Sequence, residues 1–493
     1  MEKQAKVFSW VLIDVLAVLL LGMVIQKAVT STFTHDESFT YNRFVTAPLA
    51  DIFSYKVASP NNHLLNTLLM KFLSWVFGSP VIILRLPNLL ALAGFLGFTL
   101  LLLRKLEPWV MLPVFALATC NPYLLDFFAL ARGNGLSYCF LVTSIFFLVR
   151  YTSRPGYGNY LWSVLFACLG VFSHFTMLNY LLALVATVNL WHLLECRVNG
   201  ELYSTKTRVL ARINLINLVV FVVLGLILAG PVRKLVVADQ FFYGGESGFW
   251  HDTVGSLAET FFYGAGYAHW GKILIQILVV AVMVPAAVIL AVMFLKKSKA
   301  LLHEDRILLL VFLLLMLTVL INVSQFYLLG TKLLIRRYGL LFVPMFMLCL
   351  GFLVAKLYRE MNAKFIPLTL AMLLAIAAVV HTFAVFSSTT FLDWNYDKES
   401  GHVLALLGKE VRLHEHPGPV TLAISWPFEP TLNFYRETGG MTWLKPVTRD
   451  GPSIAAGYYY VFREDITLIP LRGGLPVILF DDGKTVLVKV IRK

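Results

Sequence analysis

The chain has 493 residues, 58% of them hydrophobic and only 14% charged, with a mean hydropathy of +0.76 and a formal charge of +13. A soluble domain carries about 25% charged residues, so a purely soluble enzyme is excluded. From Ser388 onward Lys+Arg and Asp+Glu balance at 12 each, so the excess (29 basic against 16 acidic) belongs to residues 1–387, and nucleic-acid binding, which needs a basic face on a soluble module, is excluded too.

The first apolar run follows Lys3 and Lys6 and reaches Ala28. It is too long for a signal-peptide core and lacks a small-residue cleavage site, so it reads as a retained span. Further runs place spans at about 8–29, 81–103, 108–128, 135–151, 160–174, 176–195, 212–230, 272–296, 306–329, 338–357 and 365–386. Taken as one helix, 160–195 would be roughly 54 Å long against a bilayer core of about 30 Å. Two short spans turning at His174 instead keep Arg150, Arg154, Arg197, Lys206, Arg208 and Arg212 on one side. Eleven spans then gather Lys296, Lys297, Lys299, Arg306, Lys356 and Arg359 on that same cytoplasmic side. The loops 30–80 and 231–271 and the tail face outward. The expectation is a multi-pass protein of the cell (inner or plasma) membrane, N-terminus cytoplasmic. Cys120, Cys139, Cys168, Cys196 and Cys349 show no paired spacing for disulfides or zinc.

Within 388–493, a helical stretch near Asp397–Val411 precedes strand-like segments at Pro419–Ser425, Gly457–Arg463 and Pro476–Ile491, the last folding back at Asp482-Gly483. The fold class expected is therefore an all-α polytopic membrane domain, residues 1–387, with about eleven transmembrane helices, followed by a small extracytoplasmic α+β domain, residues 388–493.

The first outer loop opens Thr34-His35-Asp36-Glu37. Thr34 and Glu37 fit a capping box, which gives Glu37 a structural account beside a catalytic one. Asp36, pointing about 100° away, is the stronger catalytic candidate, with His35 beside it. Farther along, Ser59-Pro60-Asn61-Asn62-His63 forms a turn, and His63 and Asn66 lie one turn apart on the helix that follows. Asp126 and Arg132 interrupt an apolar stretch at the outer interface, where ionisable groups are costly. Lys332, Arg336 and Arg337, followed by Tyr338, break the positive-inside pattern, and guanidinium groups match phosphate oxygens. A lipid-linked phosphate explains them, as does ordinary headgroup binding. His174 and the pair His251-Asp252 are weaker candidates.

Four ordered stretches resemble the GT-C superfamily of membrane glycosyltransferases, and most of all the family-39-like group that includes protein O-mannosyltransferases and the aminoarabinose transferase of lipid A. They are Thr34-His35-Asp36-Glu37; Asn61-Asn62-His63-Leu64 running on to Leu84-Arg85-Leu86-Pro87; Asn121-Pro122 running on to Ala131-Arg132; and Arg337-Tyr338 with Pro344 beyond. The resemblance covers about residues 8–390. It implies a catalytic role for Asp36 and a polyprenyl-phosphate sugar donor. Of the Ser-Arg-Glu-Ala-Arg-like string that many relatives carry, Phe128-Ala129-Leu130-Ala131-Arg132 keeps only the final Arg.

A sugar leaving from phosphate departs as an acidic group, so one base for the acceptor proton and cations for the phosphate are sufficient. Glycoside hydrolysis needs a second carboxyl because an alkoxide leaves poorly. The expected reaction is an inverting transfer to a cell-envelope lipid, glycan or protein. No cofactor is demanded; the outer carboxylates leave room for a divalent metal, though no ligand spacing calls for one. The rival readings are a lipid flippase or transporter, which would place ionisable residues in mid-membrane, and a lipid-headgroup phosphotransferase, which would want a clearer nucleophile or metal cluster.

Overall fold

The computed structural model describes residues 2–153, 156–199, 203–295, 303–414 and 418–491. Arg154, Lys296, Lys297 and Lys299, four of the cations used to sort the loops, lie outside the described residues. In chain order the helices are α1 (Glu2–Thr30), α2 (His35–Thr40), α3 (Leu49–Phe53), α4 (Leu64–Phe77), α5 (Val81–Leu103), α6 (Pro108–Thr119), α7 (Pro122–Asp126), α8 (Gly133–Ser153), α9 (Tyr157–Ser173), α10 (Met177–Asn199), α11 (Tyr203–Val237), α12 (Gly255–Phe261), α13 (Ala268–Leu295), α14 (His303–Leu329), α15 (Arg336–Gly339), α16 (Phe342–Glu360), α17 (Phe365–Val385), α18 (Ser400–Leu413) and α19 (Glu429–Thr438). The strands are β1 (Leu422–Ile424), β2 (Tyr458–Phe462), β3 (Leu475–Asp481) and β4 (Thr485–Ile491).

Among the described residues, nine helices are long and apolar enough to cross a membrane: α1, α5, α8, α10, α11, α13, α14, α16 and α17. The chain is a multi-pass membrane protein. Two of the eleven expected spans are shorter helices, α6 with 12 residues and α9 with 17. The run 108–128 is broken because Asn121 caps a new helix: its Oδ1 accepts from the Leu124 amide at 2.9 Å, and Pro122 opens α7. The turn at His174 falls where charge sorting put it, since α9 ends at Ser173 and α10 begins at Met177.

The chain divides into two compact units. One comprises Met1–Ile25, Phe53–Asn66 and Leu86–Phe386; the other comprises Gln26–Ile52, Thr67–Arg85 and Ser387–Lys493.

In the first unit α8 packs on α9, α14 on α10 and α16, and α6 on α16 and α17. The apolar stretch of α8 is 83% buried and that of α13 only 11%. Leu274, Ile277, Val280, Val284 and Val288 of α13 are left exposed, an apolar surface that suits lipid rather than water. Polar groups inside the bundle are paired, as a dry interior requires. Tyr180 donates to Ser144 Oγ at 2.9 Å, Ser144 Oγ to the Ser163 carbonyl at 2.8 Å, and Tyr160 to Asn217 Oδ1 at 2.5 Å.

In the second unit the strands form one mixed sheet in the order β1-β2-β4-β3, with β1 and β2 parallel and the other pairs antiparallel. Alternation along the strands makes two apolar faces. Leu422, Ile424, Tyr458, Tyr460 and Leu487 pack with Val403, Leu404 and Leu407 of α18, while Ala423, Tyr459, Val461, Val486 and Val488 form the opposite cluster. The expected β3–β4 hairpin turns at Gly483, whose φ of +84° suits glycine. Helix α19 is absent from the sequence reading, although Pro430 in its first turn and Glu429 before it are helix-start signals.

Candidate active site

The Asp36 segment lies in the second unit. Thr34 caps α2 through the expected capping box: Glu37 Oε2 accepts from the Thr34 amide and from its hydroxyl, both at 2.9 Å. Arg85 holds the same carboxylate from α5, with Nε to Oε1 at 2.8 Å and Nη2 to Oε2 at 2.7 Å, and neither side chain meets solvent. The remaining guanidinium protons go to the carbonyls of Ala28, Ser31 and Thr32 and to Ser31 Oγ. Asp36 is 8% exposed. Helix α2 passes directly into a π-helical turn, Tyr41–Val45, a geometry that often marks functional sites. His35 meets the Pro427 carbonyl through Nδ1 at 2.6 Å and the Trp426 ring edge-on at 6.0 Å.

The other candidates lie in the first unit, gathered around the corner that starts α8. Asn66 donates to the Ala131 carbonyl at 2.9 Å, Asn88 donates to Asn66 Oδ1 at 3.0 Å, and Asn88 Oδ1 accepts from the Leu136 amide at 3.0 Å. This chain of amides fixes Arg132, which is 2% exposed and donates to Asn61 Oδ1 at 3.0 Å. His63 and His174 stack with centroids 5.1 Å apart, and His174 also lies 5.6 Å from the Tyr338 ring. Burial, followed by the charge of Arg132, holds both imidazoles below the usual histidine range, His63 well below it and His174 at about 3; Arg337 pushes the same way. Both rings are therefore neutral and share two cations. The Ser173 carbonyl takes a hydrogen bond from His63, and His63 Nε2, buried, has no hydrogen-bond partner among the described residues.

Arg336 and Arg337 are sent apart by the backbone. Arg336 has φ +47°, a strained conformation for a residue with a side chain, and its amide donates to Ser256 Oγ at 3.0 Å. Its guanidinium lies 5.9 Å from the Tyr123 ring, whereas that of Arg337 lies 5.8 Å from Tyr243 and 5.4 Å from Tyr338. Tyr138 and Asn134 donate to the Arg337 carbonyl at 3.1 and 3.4 Å.

His63, Arg132, His174, Arg337 and Tyr338 thus share one corner. Asp126 takes the Tyr263 hydroxyl. Lys332 stands apart, ion-paired with Glu246 beside the bridge between Gly245 and Leu333. Among the described residues, no three His, Cys, Asp or Glu are grouped as a metal would need. Sequence reasoning named Arg85 only as a landmark, yet a lone arginine in an apolar span is itself a signal. Asn61, Tyr243 and Tyr138 carried no such mark.

A second feature of this unit is an apolar cavity of about 900 Å³. Its walls include Leu274, Leu278, Val284, Phe346 and Leu350, with Phe249 and Phe262 from the 231–271 loop.

No family model and no curated protein matches the sequence. Among solved structures, the chain is similar to ArnT from Cupriavidus metallidurans in the apo state, at 11% identity over 98% of both chains with a TM-score of 0.50. The same protein bound to undecaprenyl phosphate gives 11% identity, 97% of both chains and a TM-score of 0.46. The Archaeoglobus fulgidus oligosaccharyltransferase, in complex with Zn and sulfate, gives 11% identity over 91% of this chain and 68% of that one, with a TM-score of 0.48. At such identity the likeness is one of fold, and it rests on apo ArnT. The fold is that of the GT-C membrane glycosyltransferases, the superfamily the four ordered stretches resemble.

Proposed function

We propose that this chain is a glycosyltransferase that moves a sugar from a polyprenyl-phosphate donor to a lipid, glycan or protein of the cell envelope, on the outer membrane face. The N-terminus is cytoplasmic in this reading, and the C-terminal domain lies outside. The observation that carries the proposal is the buried corner where Arg132 and Arg337 act on the same two neutral imidazoles. Guanidinium groups held in low dielectric suit a phosphate. A neutral His63 with an unengaged Nε2 suits a sugar hydroxyl. The apolar cavity of about 900 Å³ suits a prenyl chain.

In the proposed step, the acceptor oxygen attacks the anomeric carbon opposite the phosphate. The new glycosidic bond forms as the bond to phosphate oxygen breaks, so the configuration inverts. The acceptor proton passes to Asp36, and the electron pair leaves on a phosphate monoester whose charge Arg132 and Arg337 offset. Glu37, already engaged by Arg85 and Thr34, serves here by holding the helix that carries Asp36.

The test is purified protein incubated with labelled polyprenyl-phosphate sugars and an envelope extract. Label moving onto a lipid, glycan or protein fraction with wild-type protein, and not with D36N, is the expected result. Full transfer by a well-folded D36N variant would overturn the assignment of the base; no transfer from any such donor would overturn the reaction.

A further inference from the structure

We infer that the C-terminal domain is a positioning part of the proposed active site, with Asp397 and Tyr435 as the side chains that hold the entry of the Asp36 helix. This rests on the reading of Asp36 as the base and adds a function for the domain that follows it.

Every residue concerned belongs to the second unit. The chain from Thr30 to Asn42 is bound to the C-terminal domain almost residue by residue. Thr30 Oγ1 donates to the Ser388 carbonyl at 2.5 Å, and Thr32 Oγ1 to that of Lys398 at 2.6 Å. The Phe33 amide donates to the Tyr435 hydroxyl at 2.8 Å. His35 Nδ1 meets the Pro427 carbonyl, and Asn42 Nδ2 donates to the Pro430 carbonyl at 2.9 Å. Phe33 and Tyr41 pack on Phe434 with centroids 4.3 and 5.0 Å away, and Arg449 lies over Phe39 and Trp426. Asp36 sits in the middle of this bound stretch.

Asp397 is the buried centre of the grip, 1% exposed. Its Oδ1 accepts from Ser400 Oγ and its Oδ2 from Thr431 Oγ1, each at 2.6 Å, and the backbone N–H of His35 adds a third hydrogen bond. One carboxyl therefore ties the first residue of α18, the first turn of α19 and the first residue of α2. A small domain needs no charge there to fold, because its sheet already has two apolar faces. An isolated buried carboxyl is expensive unless its hydrogen bonds are made. Those bonds fix the direction in which α2 leaves the loop, and a proton acceptor must be placed to within about 1 Å to act.

The experiment uses the full-length protein in lipid vesicles, with the variants D397A, D397N and Y435F. Hydrogen–deuterium exchange is read over residues 31–42, and donor KM and transfer kcat are measured on the same samples. Amides at Phe33 in Y435F and at His35 in D397A are expected to exchange at least about tenfold faster, each having lost a hydrogen bond worth about 0.5–1.5 kcal/mol or more. In both variants kcat should fall about tenfold or more while KM stays within about twofold. D397N, which keeps an acceptor oxygen, should lie nearer wild type in both readouts. Y435F removes a single hydroxyl and covers the case in which D397A does not fold. Unchanged exchange over 31–42 in Y435F and D397A overturns the inference whatever the activity. Faster exchange with kcat intact overturns it too, whereas loss of the D36N effect would count against the transferase reading instead.

Discussion

Arg85 presents two parallel hydrogen bonds to Glu37, at 2.8 and 2.7 Å, and both side chains are sealed from solvent. Removing one partner of such a pair strands a buried charge, at about 3–5 kcal/mol. R85A and E37A should therefore lower the melting temperature sharply, and R85K should rescue little, because an ammonium cannot span both oxygens and the carbonyls of Ala28, Ser31 and Thr32. Thermal unfolding in detergent decides this; a melting point within a degree or two of wild type in R85K would show that the bidentate geometry is not needed.

D36N should leave folding intact and reduce kcat by about 10²–10⁴-fold, the range for removing a general base. Side-by-side melting curves and transfer rates separate that outcome from misfolding.

R132Q should weaken retention of a polyprenyl phosphate about 10- to 100-fold, since a hydrogen bond to a charged group contributes about 1.5–3 kcal/mol. Equilibrium binding of the lipid phosphate measures it directly. Equal affinity in R132Q would remove this arginine from the phosphate site.

G133A tests the corner by shape alone. A Cβ on Gly133 would come to 1.8 Å from the Ser173 carbonyl oxygen and 2.9 Å from His63 Cβ. Backbone cannot yield cheaply there, so the stacked histidines must part. The expected result is a loss of donor binding comparable with R132Q, although no charge has changed.

Asp397 gives a pH dependence with a definite sign. Burial raises its pKa from 3.8 to about 7, Glu37 adding to the rise while Ser400, Thr431 and the His35 backbone oppose it. The folded protein thus holds a proton that the unfolded chain releases near pH 4. The stabilisation is fully present below pH 4 and is lost as the pH climbs through about 7. Urea unfolding of the full chain should accordingly show midpoints that fall between pH 4 and 7 in wild type and fall less in D397N. The other ionisable groups acting around this carboxyl, Glu37, Tyr435 and Tyr460, remain in both proteins.

Local signals in the sequence carried much of the architecture. The turn at His174 followed from helix length and loop charge, the hairpin at Gly483 from its Asp-Gly pair, and the cap on α2 from Thr34 and Glu37. The break after Thr119 was written in Asn121-Pro122 but masked by apolar residues on either side. What no spacing could reveal were pairings between distant segments. Phe33 and Tyr435 are 402 positions apart, and Arg85 and Glu37 are 48. The corner at Arg132 likewise depends on amides, Asn61, Asn66 and Asn88, whose residue type alone points equally well to a loop or a cap.

The left-handed twist at Arg336 makes two neighbouring cations independent instruments. Because that one residue reverses the course of the chain, its guanidinium rests on Tyr123 while the next rests on Tyr243 and Tyr338. Replacement by glycine deletes the first charge and relaxes the backbone in the same stroke, leaving its neighbour undisturbed. Drift at position 336 can therefore retune one aromatic berth without dragging the other along.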